Sequence, residues 1–205
     1  MKRGSHGFTL VEVLVALMVM AIMAVMAWQG VDGIVRTRDA SQARLEQTLR
    51  MSTVIAQWDQ DLASIQETNA VPDLLACDGA NVRMVRRTPE GLQIVAWSLR
   101  PDDSGGAWVR WAGPPVTTVG ELKDSLQRSL QLLGGEPGST QTLTGLSRWQ
   151  VYFYQGNGWA NCQSTGNQAG SGGGFVLPNG VRIVLSFAPG SGLNGDLTRD
   201  TLLQR

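Results

Sequence analysis

The chain has a single histidine, His6, and only two cysteines, Cys77 and Cys162, among its 205 residues. That scarcity leaves no His-based triad to draw beyond the first few residues and removes most metal sites, which draw on several His, Cys or carboxylate ligands at short spacing. Proline does not occur before Pro72, so nothing upstream forces a helix to break. There is no excess of either charge: 17 basic residues meet 17 acidic ones, which leaves no overall footprint for nucleic acid. No glycine-rich stretch ends in Gly-Lys-Ser/Thr, so a phosphate loop is missing. Asp59 with Asp61, and Asp102 with Asp103, are carboxylate pairs without the spacing of a calcium loop. They read as a solvated helix face and a turn. No cofactor and no metal is expected, and no catalytic constellation is found.

What the chain does have is one long apolar run near its start. From Phe8 to Trp28 the only clearly polar side chains are Thr9 and Glu12. As a helix this run spans roughly 30 Å, the thickness of a bilayer's hydrocarbon core. It follows a leader of seven residues, Met1 to Gly7, that carries Lys2 and Arg3. The run is longer than the apolar core of a secretory signal, and Gln29-Gly30-Val31-Asp32-Gly33 is not a small-residue cleavage site. A plain membrane anchor would not carry Glu12, because a carboxylate in hydrocarbon is costly and calls for a partner.

Gly7-Phe8-Thr9-Leu10-Val11-Glu12, continuing through Leu17, resembles the prepilin-type cleavage and methylation motif of type IV pilins and of the pseudopilins of type II secretion systems. Its parts are a short basic leader ending in Gly, an apolar first mature residue, and a Glu four residues later. The resemblance implies cleavage by a prepilin peptidase between Gly7 and Phe8, then N-methylation of Phe8. It also implies that Glu12 meets the amino terminus of a neighbouring subunit and sets the register between subunits. Inside a low-dielectric bundle, pairing the two charges removes a large desolvation penalty.

Beyond the apolar run the pattern becomes amphipathic. Leu45, Leu49, Met51, Val54, Ile55, Trp58, Leu62 and Ile65 recur mostly three or four apart, which predicts one helix from Phe8 to about Ile65 whose later face packs on its own head. Gly30 and Gly33 mark a place for a bend. Val71-Pro72-Asp73 bounds the helix. Strands are expected at Asn81–Arg87, Leu92–Leu99, Trp108–Trp111, Ser147–Tyr154 and Val181–Phe187, with a final edge strand in Asp196–Leu203. Leu122, Leu126, Leu130 and Leu133 predict a short helix over Val119–Leu133, and Gln163–Gly174 reads as a loop. Arg83, Arg86 and Arg87 read as a solvated sheet face, since no basic patch extends them. The fold class is α+β, a long N-terminal helix packed on antiparallel β-sheet, as in pilins.

Within that superfamily the chain resembles the J-type minor pseudopilins of type II secretion. The resemblance is carried by Phe8–Gly30 running into Val31–Asp61, the strand Leu92–Leu99 followed by Trp108–Trp111, and Leu177-Pro178-Asn179-Gly180-Val181 before a late strand. It implies a leader at 1–7, a transmembrane helix half at 8–29, and a periplasmic head at 30–205 that includes the amphipathic helix half. It implies a non-enzymatic subunit in the bacterial inner membrane, at the tip of a periplasmic pseudopilus. The implied partners are I- and K-type minor pseudopilins, other pseudopilus subunits and the prepilin peptidase, with no nucleic acid. A minor pilin of a type IV pilus is the alternative, and a membrane-tethered periplasmic binding protein or enzyme a further one. In the periplasm disulfides persist, which leaves Cys77 and Cys162 either bridged or as two thiols.

Overall fold

The computed structural model describes residues 8–103, 105–164, 176–193 and 195–203. The leader Met1–Gly7 lies outside them, as does most of the segment read as the loop Gln163–Gly174. The chain forms two compact units, Met1–Gln47 and Thr48–Arg205. In the first, helix α1 (Leu10–Ala63) begins and runs unbroken through Gly30 and Gly33. Every described side chain of this unit is exposed, the apolar ones from Phe8 to Trp28 included.

The last turns of α1 belong to the second unit, where Val54, Trp58, Asp61 and Leu62 are buried. Their spacing of four, three and one is the stripe of a helix laid on a core. Met51 and Ile55 are partly buried beside them. Leu49, expected on the same stripe, is 56% exposed. The helix ends before Val71-Pro72-Asp73 because its chain is captured by a strand. Gln66 donates its backbone N–H to Val85, and Arg87 donates to Ser64.

Two antiparallel sheets follow, in keeping with the expected α+β fold. The first is a meander in chain order: β1 (Leu75–Cys77), β2 (Asn81–Thr88), β3 (Gly91–Asp102), β4 (Gly105–Ala112) and β5 (Ser139–Leu143). Helix α2 (Val119–Ser129) is inserted between β4 and β5. The second sheet has the order β7 (Gly158–Asn161), β6 (Leu146–Gln155), β8 (Gly180–Phe187) and β9 (Asp196–Leu202). The break between sheets falls at Gly145, whose φ of 74° suits glycine and whose Cβ, if present, would lie 2.6 Å from Cβ of Ser191. Strands β1, β5 and β7 were not expected. The β6–β7 hairpin turns on Gly156-Asn157, both at positive φ, a two-residue signal that was legible in sequence.

α2 is capped by Thr118, whose hydroxyl accepts from the Glu121 N–H at 3.3 Å and donates to the Glu121 carboxylate at 2.7 Å. It stops at Ser129, short of the expected Leu133, because Arg100 takes the Leu132 carbonyl at 2.7 Å and Glu136 takes the N–H groups of Leu133 and Gly134. Leu132 is therefore the buried residue there, and Leu133 is 88% exposed.

The two sheets and α1 share one core centred on tryptophan. Trp58, Trp97 and Trp108 are fully buried, and Trp149 nearly so. Trp97 and Trp108 lie 4.4 Å apart between ring centroids, and Trp58 meets Trp97 edge-on at 5.6 Å. Such offset and edge contacts are the favoured arrangements of aromatic quadrupoles. A second, smaller cluster under α2 gathers Val85, Ile94, Trp111 and Leu122.

Candidate assembly site at the N-terminus

Of the residues expected at the prepilin junction, Gly7 lies outside the described residues. Phe8 is 86% exposed and lies two residues before the start of α1. Thr9 is the cap. Its carbonyl accepts the first helical bond, from Val13 N–H at 3.3 Å, and its hydroxyl accepts from Glu12 N–H at 3.3 Å. In return the Glu12 carboxylate accepts from Thr9 N–H at 3.1 Å and from the Thr9 hydroxyl at 3.0 Å. This is a reciprocal capping box, Thr-x-x-Glu, that satisfies donors a helix start leaves unpaired. Those donors matter most where no water can replace the cap. The Thr-x-x-Glu pattern is readable in the sequence beside the motif that aims Glu12 at a neighbour's amine. Within the subunit the box holds the Glu12 carboxylate at the helix start, on Thr9.

The head carries a different polar site that the sequence reading placed wrongly. Asp61 was expected on a solvated helix face, yet its side chain is fully buried. It is reached by donors from four residues. Arg86 Nη1 approaches at 2.7 Å, Arg110 Nε and Nη2 at 2.7 and 2.9 Å, Trp97 Nε1 at 2.9 Å and Gln57 Nε2 at 3.0 Å. The expectation fails because Asp61 stands on the same stripe as Trp58 and Leu62. A carboxylate there is tolerated only when paired and fully hydrogen-bonded. Arg86, expected on a solvated sheet face, is turned inward to Asp61 and Gln93. Arg83 binds Asp78 at 2.7 Å, while Arg87 is exposed. Asp59 too is engaged, by Arg199 at 2.7 Å and by the Thr201 hydroxyl at 2.6 Å, which fastens α1 to the edge strand β9.

Cys77 and Cys162 form a disulfide, with Cα atoms 5.9 Å apart and the two cysteines 85 positions apart in sequence. Cys77 ends β1 and Cys162 follows β7, so the bond joins the edge of one sheet to the edge of the other. Gln163 adds a hydrogen bond to the Asp78 carbonyl at 3.2 Å. Among the described residues no group of three or more His, Cys, Asp or Glu is placed to hold a metal ion.

Comparison with known proteins bears on the N-terminus. Residues 2–28 match the prokaryotic N-terminal methylation motif. A search of curated proteins returns no match to the chain. The matched segment takes in Gly7, Phe8, Thr9 and Glu12 and ends at Trp28. The chain thus carries a type IV pilin-like prepilin signal at the start of a helix long and apolar enough to cross a membrane, followed by an α+β head of antiparallel sheets consistent with a pilin-like fold.

Proposed function

We propose that this protein is a minor pseudopilin of a type II secretion system, made as a prepilin and held in the bacterial inner membrane by α1 with its head in the periplasm. A prepilin peptidase cleaves after Gly7, and Phe8 becomes the methylated amino terminus. The subunit then leaves the bilayer for the tip of a short pseudopilus, where it joins I- and K-type minor pseudopilins, initiates assembly and supports export of folded proteins. It has no enzymatic role. The observation that carries the reading is the coincidence of Phe8 and Glu12, four residues apart, inside a match to the methylation motif at residues 2–28. The wholly exposed apolar surface of the first unit supports it, since such a surface needs lipid or partner helices around it. The same motif serves a minor pilin of a type IV pilus equally.

The test is processing. Co-expression with a prepilin peptidase is expected to yield a mature chain that begins at N-methylated Phe8, and a peptidase-null strain to yield none. Absence of cleavage in both strains overturns either filament reading. Deletion of the gene separates the two. Loss of secreted enzymes from the medium with intact surface pili supports the pseudopilin. Loss of pili with intact secretion supports the pilin.

A further inference from the structure

The head presents a cleft of about 410 Å³ between the last turns of α1 and strands β4 and β5. Arg50, Thr53, Val54 and Gln57 line it from the helix, and Arg110 and Thr140 from the sheet. Its charge is unbalanced. Arg50, Arg86 and Arg110 bring three guanidinium groups to the cleft and the network behind it, and the carboxylate bonded to two of them is Asp61. Asp61 is sealed from solvent, so it compensates from behind and leaves the cleft side positive. Arg110 commits Nε and Nη2 to Asp61, while its Nη1 has no hydrogen-bond partner among the described residues. Arg50 is exposed and is steadied by the backbone of β5, donating to the carbonyls of Thr142 at 2.8 Å and Gln141 at 3.4 Å.

We propose that this cleft receives an acidic side chain, a glutamate, from a protein partner. Guanidinium groups match carboxylates in shape and charge, and such hydrogen bonds are the strong ones. The walls favour a carboxylate on an aliphatic stem over a bare anion, because Val54, Thr53, Thr140 and Thr142 line the cleft together with the two arginines. Strand β5 is the edge of its sheet, which leaves room for the backbone of a partner segment to run along the cleft. The inference deepens the assembly reading and rests on it for the occupant being a protein. Prepilin processing and cleft chemistry are read by separate experiments, so either can fail alone.

The test uses the full chain in detergent micelles with ¹⁵N-labelled arginine, titrated with the peptide acetyl-Gly-Glu-Gly-amide and with its Gln counterpart. The Glu peptide is expected to move the Nε–H resonances of Arg50 and Arg110 and to bind about tenfold more tightly than the Gln peptide. Arg50→Gln, an exposed change that leaves the Asp61 network intact, is expected to weaken the Glu peptide about tenfold. Equal response to both peptides, no response to either, or unchanged affinity in Arg50→Gln overturns the proposal. So does inorganic phosphate binding more tightly than the Glu peptide, or phosphatidylglycerol in the micelles shifting the same resonances in its place. The first outcome would assign the cleft to a bare anion and the second to lipid.

Discussion

Trp97 donates its indole N–H to Asp61 at 2.9 Å, so a buried carboxylate on α1 is held by the same ring that packs against Trp58 and Trp108. The polar network and the aromatic core are one construction. α1 cannot shift along the first sheet without breaking both.

Asp61→Ala is therefore expected to destabilise the head strongly. Removing the carboxylate leaves the Arg86 and Arg110 guanidinium groups facing each other in a largely buried site, a situation that costs about 3–5 kcal/mol. Urea unfolding of the full chain in detergent, followed by tryptophan fluorescence, measures the loss. A shift in midpoint worth less than about 1 kcal/mol would mean that water replaces the carboxylate.

Different substitutions separate the observed cap of Glu12 from its proposed pairing with a neighbour's amine. Glu12→Gln keeps the capping box, since Gln serves at that position as well as Glu, but it removes the charge that would meet a neighbour's amine. Glu12→Leu removes both. If register between subunits depends on charge, both variants fail to enter filaments. If the cap is what matters, Glu12→Gln assembles and Glu12→Leu does not. Cross-linked pili or pseudopili, blotted for the subunit, give the readout. Wild-type incorporation of Glu12→Leu would leave Glu12 with no role in assembly.

Replacing both Cys77 and Cys162 by Ala is expected to lower stability by about 2–4 kcal/mol, the usual contribution of a bond that closes a long loop. The wild-type chain should change mobility on gels when reduced, and the double variant should not. Two free thiols by mass in the purified full chain would show the pair unbonded.

Stability should fall with acid through the surface carboxylates. Asp200 is held below the ordinary aspartate range first by its hydrogen bonds from Arg182, which outweigh an opposing effect of burial, and the charges of Arg182 and Arg199 add to the lowering. Burial pushes Asp78 up, but bonds from Arg83 and Asn81 outweigh it and lower its titration as well. A carboxyl lowered in the folded state stabilises fully above its unfolded pKa, near 4, and that contribution disappears as pH falls through the folded value. The gap in denaturation midpoint between wild type and Asp200→Asn should be constant well above the unfolded aspartate pKa and close as the pH falls through and below it. A gap that persists unchanged into acid would refute the linkage.

Trp58→Ala is expected to cost about 3–5 kcal/mol, since it opens a cavity where three further tryptophans meet. Thermal unfolding in detergent measures it.

The long helix, the prepilin motif and most strands were legible because each is a local pattern. An unbroken apolar run announces a membrane helix, a Glu four residues after a junction announces the motif, and alternation announces β2, β3, β4, β6 and β8. The short strands carried weaker signals. β1 has three residues and β5 reads Ser-Thr-Gln-Thr-Leu, so neither alternates over enough length to stand out. The error at Asp61 was of another kind. Its charge argued for solvent, and its position on the Trp58–Leu62 stripe argued for burial.

The amino-acid sequence by itself determined the N-terminal motif of this protein, because Gly7, Phe8, Glu12 and the apolar helix are contiguous and need no distant contact. Only the tertiary structure decided what the charges of the head do. Arg86, Trp97 and Arg110 reach Asp61 across 25, 36 and 49 residues, and Cys77 reaches Cys162 across 85. Pairings of that range follow from which faces the sheets and α1 turn toward one another. No local periodicity encodes them. The same packing that buried Asp61 left Arg50 and Arg110 at the mouth of a cleft.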